Sequence, residues 1–155
     1  MPALRQTLPA SLVSGAIANI ATMAALALLA RAEGRAALQP INATSHWLHG
    51  EKAGKVTHAD APHTLVGYLT NHAASTLWAF TLEAWLDNEP HLPAAQVAQR
   101  ACAVSVVAAV VDYGLTPNRF TPGWEEAVSW RSIGITYVAL AAGLTAGALV
   151  TQQMR

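Results

Sequence analysis

Six histidines and nine carboxylates are the side chains of this chain best suited to acid–base or metal chemistry. His46, His49, His58 and His63 fall in one stretch, Asp112, Glu125 and Glu126 in another, and His72 stands between them in the apolar run 64–82, which Glu83 follows. Imidazole and carboxylate together can build zinc, iron or copper sites. No pair here has the spacing of an HExxH motif, and His46–His49 at i+3 is only mildly suggestive. Haem in a helical bundle asks for axial ligands from facing helices, and His72 is the only histidine embedded in an apolar run. Metal or haem is therefore the lesser reading, and no cofactor is expected. Nucleophilic chemistry is no better supplied: Ser75 lies three residues from His72, but no orienting carboxylate is near in sequence.

The run 64–82 must be the element that positions His72. It is long enough to cross a bilayer, which takes about 20 residues. At about 100° per residue, positions 68, 72, 76, 79 and 83 share one helical face, and a histidine at such depth is costly unless it faces protein or water. His72 and Glu83 are about 16 Å apart at 1.5 Å per residue, so they form two sites and not a dyad. Glu83 and Arg100 flank one short turn and are expected to neutralise each other. Asp112 and Arg119 are expected to brace the loop between them.

Composition sets the surroundings. Apolar residues make up 53% of the 155 and charged residues 12%, half the roughly 25% of a soluble domain. Residues 6–30 and 132–154 carry no charge. Nine basic and nine acidic side chains cancel, which leaves no basic field for nucleic acid. The single cysteine, Cys102, excludes an intrachain disulfide and a CxxC metal site, and its apolar surroundings make it a packing residue. The first apolar run is longer than the roughly 7–15 residues of a signal-peptide core and reads as a retained span.

The expected fold is an all-α polytopic membrane protein, one domain over 1–155, with four transmembrane helices in a bundle at about 9–30, 64–86, 94–111 and 128–150. Pro9 is placed in the first turn, where its missing N–H costs little. Gly15, Ala18, Asn19 and Thr22 repeat at interface spacing, and Ala139, Gly143 and Gly147 make a second small-residue face. That face is expected to meet helix 1 of the same chain or, in a homo-oligomer or larger complex, another copy. The long first loop, 31–63, contains a short helix over 41–50, with Thr44 or Ser45 as cap, Gly50 as terminator, and Ile41, Trp47 and Leu48 on the membrane surface. The sequon Asn42-Ala43-Thr44 is discounted. Arg31, Arg35, Lys52, Lys55, Arg119 and Arg131 on one side, against Arg5, Arg100 and Arg155 on the other, place loops 31–63 and 112–127 in the cytoplasm. Arg5 and the free amine before the first helix argue the other way.

The segments Pro40-Ile41-Asn42-Ala43-Thr44-Ser45-His46-Trp47, Asn71-His72-Ala73-Ala74-Ser75-Thr76-Leu77-Trp78-Ala79 with Glu83, and Val111-Asp112-Tyr113 through Pro117, Arg119 and Pro122-Gly123-Trp124-Glu125 resemble a family of small, uncharacterised proteobacterial four-span inner-membrane proteins. They cover roughly a quarter of the chain. Where that family often has two adjacent histidines, this chain has Asn71 before His72. The resemblance implies a multi-pass protein of a bacterial inner membrane and groups His46, His72, Glu83, Asp112, Arg119 and Glu125 in one unit. It implies no reaction.

Two functions follow. The preferred one is a non-enzymatic accessory or interaction subunit in the lipid bilayer. The alternative is a transporter or membrane enzyme with a ligand, metal or proton site centred on His72, with His46, Asp112 and Glu125.

Overall fold

The computed structural model describes residues 2–87, 89 and 91–154, with side chains from residue 6 onward. Asn88 and Pro90 of the short turn, the Arg5 side chain and Arg155 lie outside the described residues. The helices are α1 (Pro2–Ala32), α2 (Gln39–Ala43), α3 (His46–His49), α4 (Val66–Leu86), α5 (Ala94–Val110) and α6 (Trp130–Met154). Among the described residues there is no strand. Three segments among them are long and apolar enough to cross a membrane: Gln6–Ala32, Ala94–Leu115 and Trp130–Met154. The helix that carries His72 is not among them, because Thr70, Asn71, Ser75 and Glu83 dilute its apolar run. Helix α1 begins at Pro2, so Pro9 lies inside it and not in its first turn. The neighbouring packed helix tolerates such an interruption.

The α1 helix lies between α4 and α6 and runs antiparallel to both. A Cβ on Gly15 would sit 2.7 Å from the Cα of Thr76, and Cβ atoms on Gly143 and Gly147 would sit 2.7 and 2.5 Å from the Cα atoms of Ala18 and Ser14. The small-residue face of α6 is thus filled by α1 of the same chain, leaving no room at either glycine for a second copy. Ala139, beside them, is only half-buried. Hydrogen bonds mark these contacts. Asn71 donates its amide to Asn19 at 2.7 Å, and Ser105 on α5 donates to the Tyr137 carbonyl of α6 at 2.6 Å.

Glu83 departs from the expected pairing. It is buried and accepts hydroxyls from Ser14 on α1 and from Thr151 on α6, the latter at 2.9 Å. Arg100 pairs with Glu89 at 2.6 Å, donates to the Trp85 carbonyl at 3.1 Å, and lies over the Trp85 ring. Glu83 points toward α1 and α6, whereas Arg100 stays with the turn that joins α4 to α5.

At the opposite end, the Glu33 carboxylate receives the Ser129 N–H at 3.0 Å and the hydroxyls of Ser129 and Ser132 at 2.6 and 2.5 Å. It caps the otherwise unsatisfied donors at the start of α6. The expected 41–50 helix divides into α2 and α3. Ser45 holds the N-cap position of α3, but its hydroxyl donates back to the Asn42 carbonyl at 2.7 Å. Gly50 ends α3 with φ of 72°. Ile41 is buried and not on the surface, because Gly67 lets its carbonyl touch the backbone of α4. Asn42 is also buried: it donates to the carbonyls of Val56 and His58 at 2.8 and 3.0 Å and accepts from Thr64 at 2.6 Å. A side chain so engaged carries no glycan.

Candidate functional site

Loop 31–63 and the segment 116–127 fold over one end of the long helices and lock together. His46 ties them: its Nδ1 lies 3.1 Å from the Ala43 carbonyl and its Nε2 lies 3.0 Å from the Asn118 carbonyl. Gly123, at φ 77°, passes directly over the imidazole, and a Cβ there would collide with the ring and with the Ala43 carbonyl. Trp124 is buried and donates its indole N–H to Thr44 at 3.1 Å, and Trp47 donates to Thr70 of α4 at 3.1 Å. Arg119 donates to the Trp47 carbonyl at 3.2 Å and is not paired with Asp112. The expected Asp112–Arg119 brace is replaced by a bond from Tyr137, whose hydroxyl donates to Asp112 at 2.7 Å.

Beneath this cap is a cavity of about 390 Å³. Helix α4 lines it with Asn71, Ala74, Ser75 and Trp78, and α6 with Tyr137 and Leu140. The cap adds Trp47, Phe120 and Trp124, and Asp112 supplies its carboxylate. Asp112 is aimed inward by a π-helical turn, Val111–Leu115, that ends α5. Such turns widen the helix by one residue and recur at functional sites. The volume lies within the range of small-molecule pockets, and the lining is mostly aromatic and apolar with a few polar groups. The interface between α4 and α5 is smaller than those of α1 with α4, α1 with α6 and α5 with α6, which leaves room for the cavity.

A second cleft of about 690 Å³ lies on the outer side of the cap and shares Trp47 and Thr121 with the first. Its lining is polar: His46, Glu51, Arg119, Glu125 and Glu126, with the rings of Tyr113 and Trp130. Glu125 accepts the Thr121 hydroxyl at 2.8 Å. Burial pushes the Glu126 carboxyl above its ordinary range; nearby His46 opposes this, and Glu125 and Glu51 add to it.

The residues expected to form one site are therefore divided. His46 and Glu125 line the outer cleft, and Asp112 lines the inner cavity. His72 lines neither; it is half-buried on the flank of α4, its ring stacked parallel to Tyr68 at 6.2 Å and its Nδ1 without a hydrogen-bond partner. Among the described residues no three His, Cys, Asp or Glu side chains are placed to hold a metal ion. The residues that sequence reasoning left out of the site are Trp47, Trp78, Phe120, Trp124 and Tyr137. Phe120 and Trp124 stand close together in the second of the two loops that later meet, Trp47 stands in the first, and Trp78 and Tyr137 lie within helices, where nothing local marks them. Compared with protein-family models, curated proteins and solved structures, the chain finds no match.

Proposed function

We propose that this chain is a multi-pass protein of a bacterial inner membrane whose four long helices form a bundle around a binding site for a small amphipathic molecule. The observation that carries the reading is the aromatic-lined cavity of about 390 Å³, set among apolar helices and roofed by two interlocked loops. An apolar body fits against Trp47, Trp78 and Trp124. Asn71, Ser75 and Asp112 orient the polar part. Helix α4 counts as the fourth span because it packs antiparallel on α1 from Asn71 to Glu83. Asn71 and Glu83 meet partners from α1 and α6, which suits polar groups within a membrane.

The geometry suits holding a ligand more than converting one. The inner cavity offers one carboxylate, already bonded to Tyr137, and no imidazole. The two glycines of the α6 face that could have served a homo-oligomer contact, Gly143 and Gly147, are occupied by α1. The cap, with Arg31, Arg35, Lys52, Lys55, Arg119 and Arg131 at its end of the molecule, is placed on the cytoplasmic side.

The test uses the full chain in lipid nanodiscs, titrated with dodecyl maltoside below its micellar concentration and followed by tryptophan fluorescence. Saturable binding is expected, weakened at least tenfold by Ala74→Phe, which fills the cavity from an exposed position on α4. The absence of any saturable change would overturn the reading.

A further inference from the structure

His46 is the buried titratable side chain that joins the two halves of the cap. Only 8% of it is exposed, and both ring nitrogens face backbone carbonyls: Nδ1 that of Ala43 at 3.1 Å, Nε2 that of Asn118 at 3.0 Å. A carbonyl oxygen can only accept a hydrogen bond. A neutral imidazole carries one N–H and one bare lone pair, so either tautomer satisfies one carbonyl and turns a lone pair on the other. The imidazolium donates to both. Gly123 closes the space over the ring, where a Cβ would collide with Nδ1 and with the Ala43 carbonyl, so backbone confines the imidazole from that side as well.

The charges around the ring have the sign a cation needs. Glu51, Glu125 and Glu126 share the outer cleft with His46, against Arg119, whose Nε donates to the Trp47 carbonyl. Tyr113 is the remaining titratable group lining that cleft. His49, on the same short helix, is turned to the Pro62 carbonyl and the His63 ring, and Lys52 and Lys55 of the adjoining turn are exposed.

We propose that His46 is an imidazolium in the closed cap and that its second ring proton is the latch on the inner cavity. The inference rests on the amphiphile reading of that cavity and adds its regulation. Trp47 follows His46 in the chain, Thr44, which accepts the Trp124 indole N–H, follows Ala43, and Phe120 lies two residues beyond Asn118. The clasp therefore holds the aromatic roof in place. The Asn118 carbonyl also accepts the Thr121 hydroxyl at 3.0 Å, a bond that survives when His46 is neutral. The remaining ring proton then stays with the Ala43 carbonyl, and the bond between the two loops is the one deprotonation cuts. The closed form holds a proton that the open form gives up, so closure is favoured at low pH and lost as pH rises. Ligand binding that needs the closed roof must in turn take up protons.

The experiment follows release of dodecyl maltoside from the full chain in nanodiscs by tryptophan fluorescence between about pH 5 and pH 9, a window that spans the charge change of imidazole. Release at least tenfold faster at the alkaline end is expected for the natural chain. His46→Gln, which cannot donate in two opposite directions, should release rapidly at every pH. Calorimetry at the midpoint of the profile, in two buffers of different ionisation enthalpy, should show net proton uptake on binding. The ring-nitrogen chemical shifts of isotope-labelled histidine read the protonation state directly: both His46 nitrogens should carry protons where release is slow, and Nδ1 alone where it is fast. The other five histidines are assigned through their own glutamine variants, so His46 is identified even where His46→Gln does not fold. Saturable binding with release independent of pH, or a neutral His46 ring throughout, would overturn the latch and leave the cavity reading standing. Absence of saturable binding at every pH would overturn the cavity reading and the latch with it.

Discussion

Tyr137 donates its hydroxyl to Asp112 at 2.7 Å, joining α6 to the π-helical turn that ends α5. That bond forms one wall of the inner cavity, and the Trp124 ring of the cap packs against Tyr137 at 5.6 Å. Tyr137→Phe keeps the ring and removes the donor. A buried acceptor left short costs about 1–3 kcal/mol. The loss should appear as a lowered midpoint of denaturant unfolding in detergent, with ligand binding weakened because Asp112 is no longer held. Unchanged stability would show that this bond does not hold the wall.

The close approach of loop 31–63 to α4 makes Gly67 a sensitive position. Any Cβ there meets the Ile41 carbonyl, which is backbone and cannot swing away. Gly67→Ala should destabilise by about 1–3 kcal/mol, the usual cost of overpacking. It should also expose the loop to limited proteolysis. Gly134, which has open space around it, is the control position: Gly134→Ala should leave cleavage unchanged.

Two carboxylates give pH effects of opposite sign. Hydrogen bonds from the Ser129 hydroxyl, and then from Ser132, hold the Glu33 carboxyl below its ordinary 4.5. A depressed folded-state pKa contributes stability that is present above the unfolded value and lost as pH falls through the folded one. Thermal unfolding between pH 6 and pH 3, about the acid range of carboxylates, should show a decline that Glu33→Gln reduces. Glu126 is raised by burial, so its ionisation costs stability as pH rises through its folded-state value. Glu126→Gln should therefore raise the melting temperature of the unliganded protein at neutral pH.

A double-mutant cycle separates the two charged groups near the turn. The Arg100–Glu89 pair has an exposed carboxylate partner, and such pairs contribute about 0–1 kcal/mol. Glu83 is buried and accepts two hydroxyls from different helices, so Glu83→Ala should cost several times as much as Arg100→Ala. The coupling between the two should stay below about 0.5 kcal/mol, as for residues that share no partner. A coupling well above that would restore the pairing suggested by their positions around the turn.

The all-helical character, with helices long and apolar enough to cross a membrane, was legible because long charge-free runs such as 6–30 admit few other structures. The packing of α6 on α1 was half legible: the glycine spacing marked a contact face without naming its partner, which only the antiparallel seat of Gly143 on Ala18 identifies. Glu83 was misassigned because Arg100 is its conspicuous neighbour around the turn. Ser14 and Thr151 carry no comparable signal, since a hydroxyl within an apolar run can as easily bond its own backbone. His72 looked central from periodicity alone, yet one helical face meets two environments. Asn71 and Ser75 turn to the cavity, and His72 turns to Tyr68. The roof of the cavity depended on two loops meeting through His46 and Asn118, 72 positions apart, a contact no local pattern encodes.

Native mass spectrometry of the full chain, purified in lipid nanodiscs from bacterial membranes and released intact, tests the central claim most directly. The account predicts one small amphiphile retained per polypeptide, absent from Ala74→Phe. The bare polypeptide mass in both proteins, persisting after dodecyl maltoside is added, would contradict it.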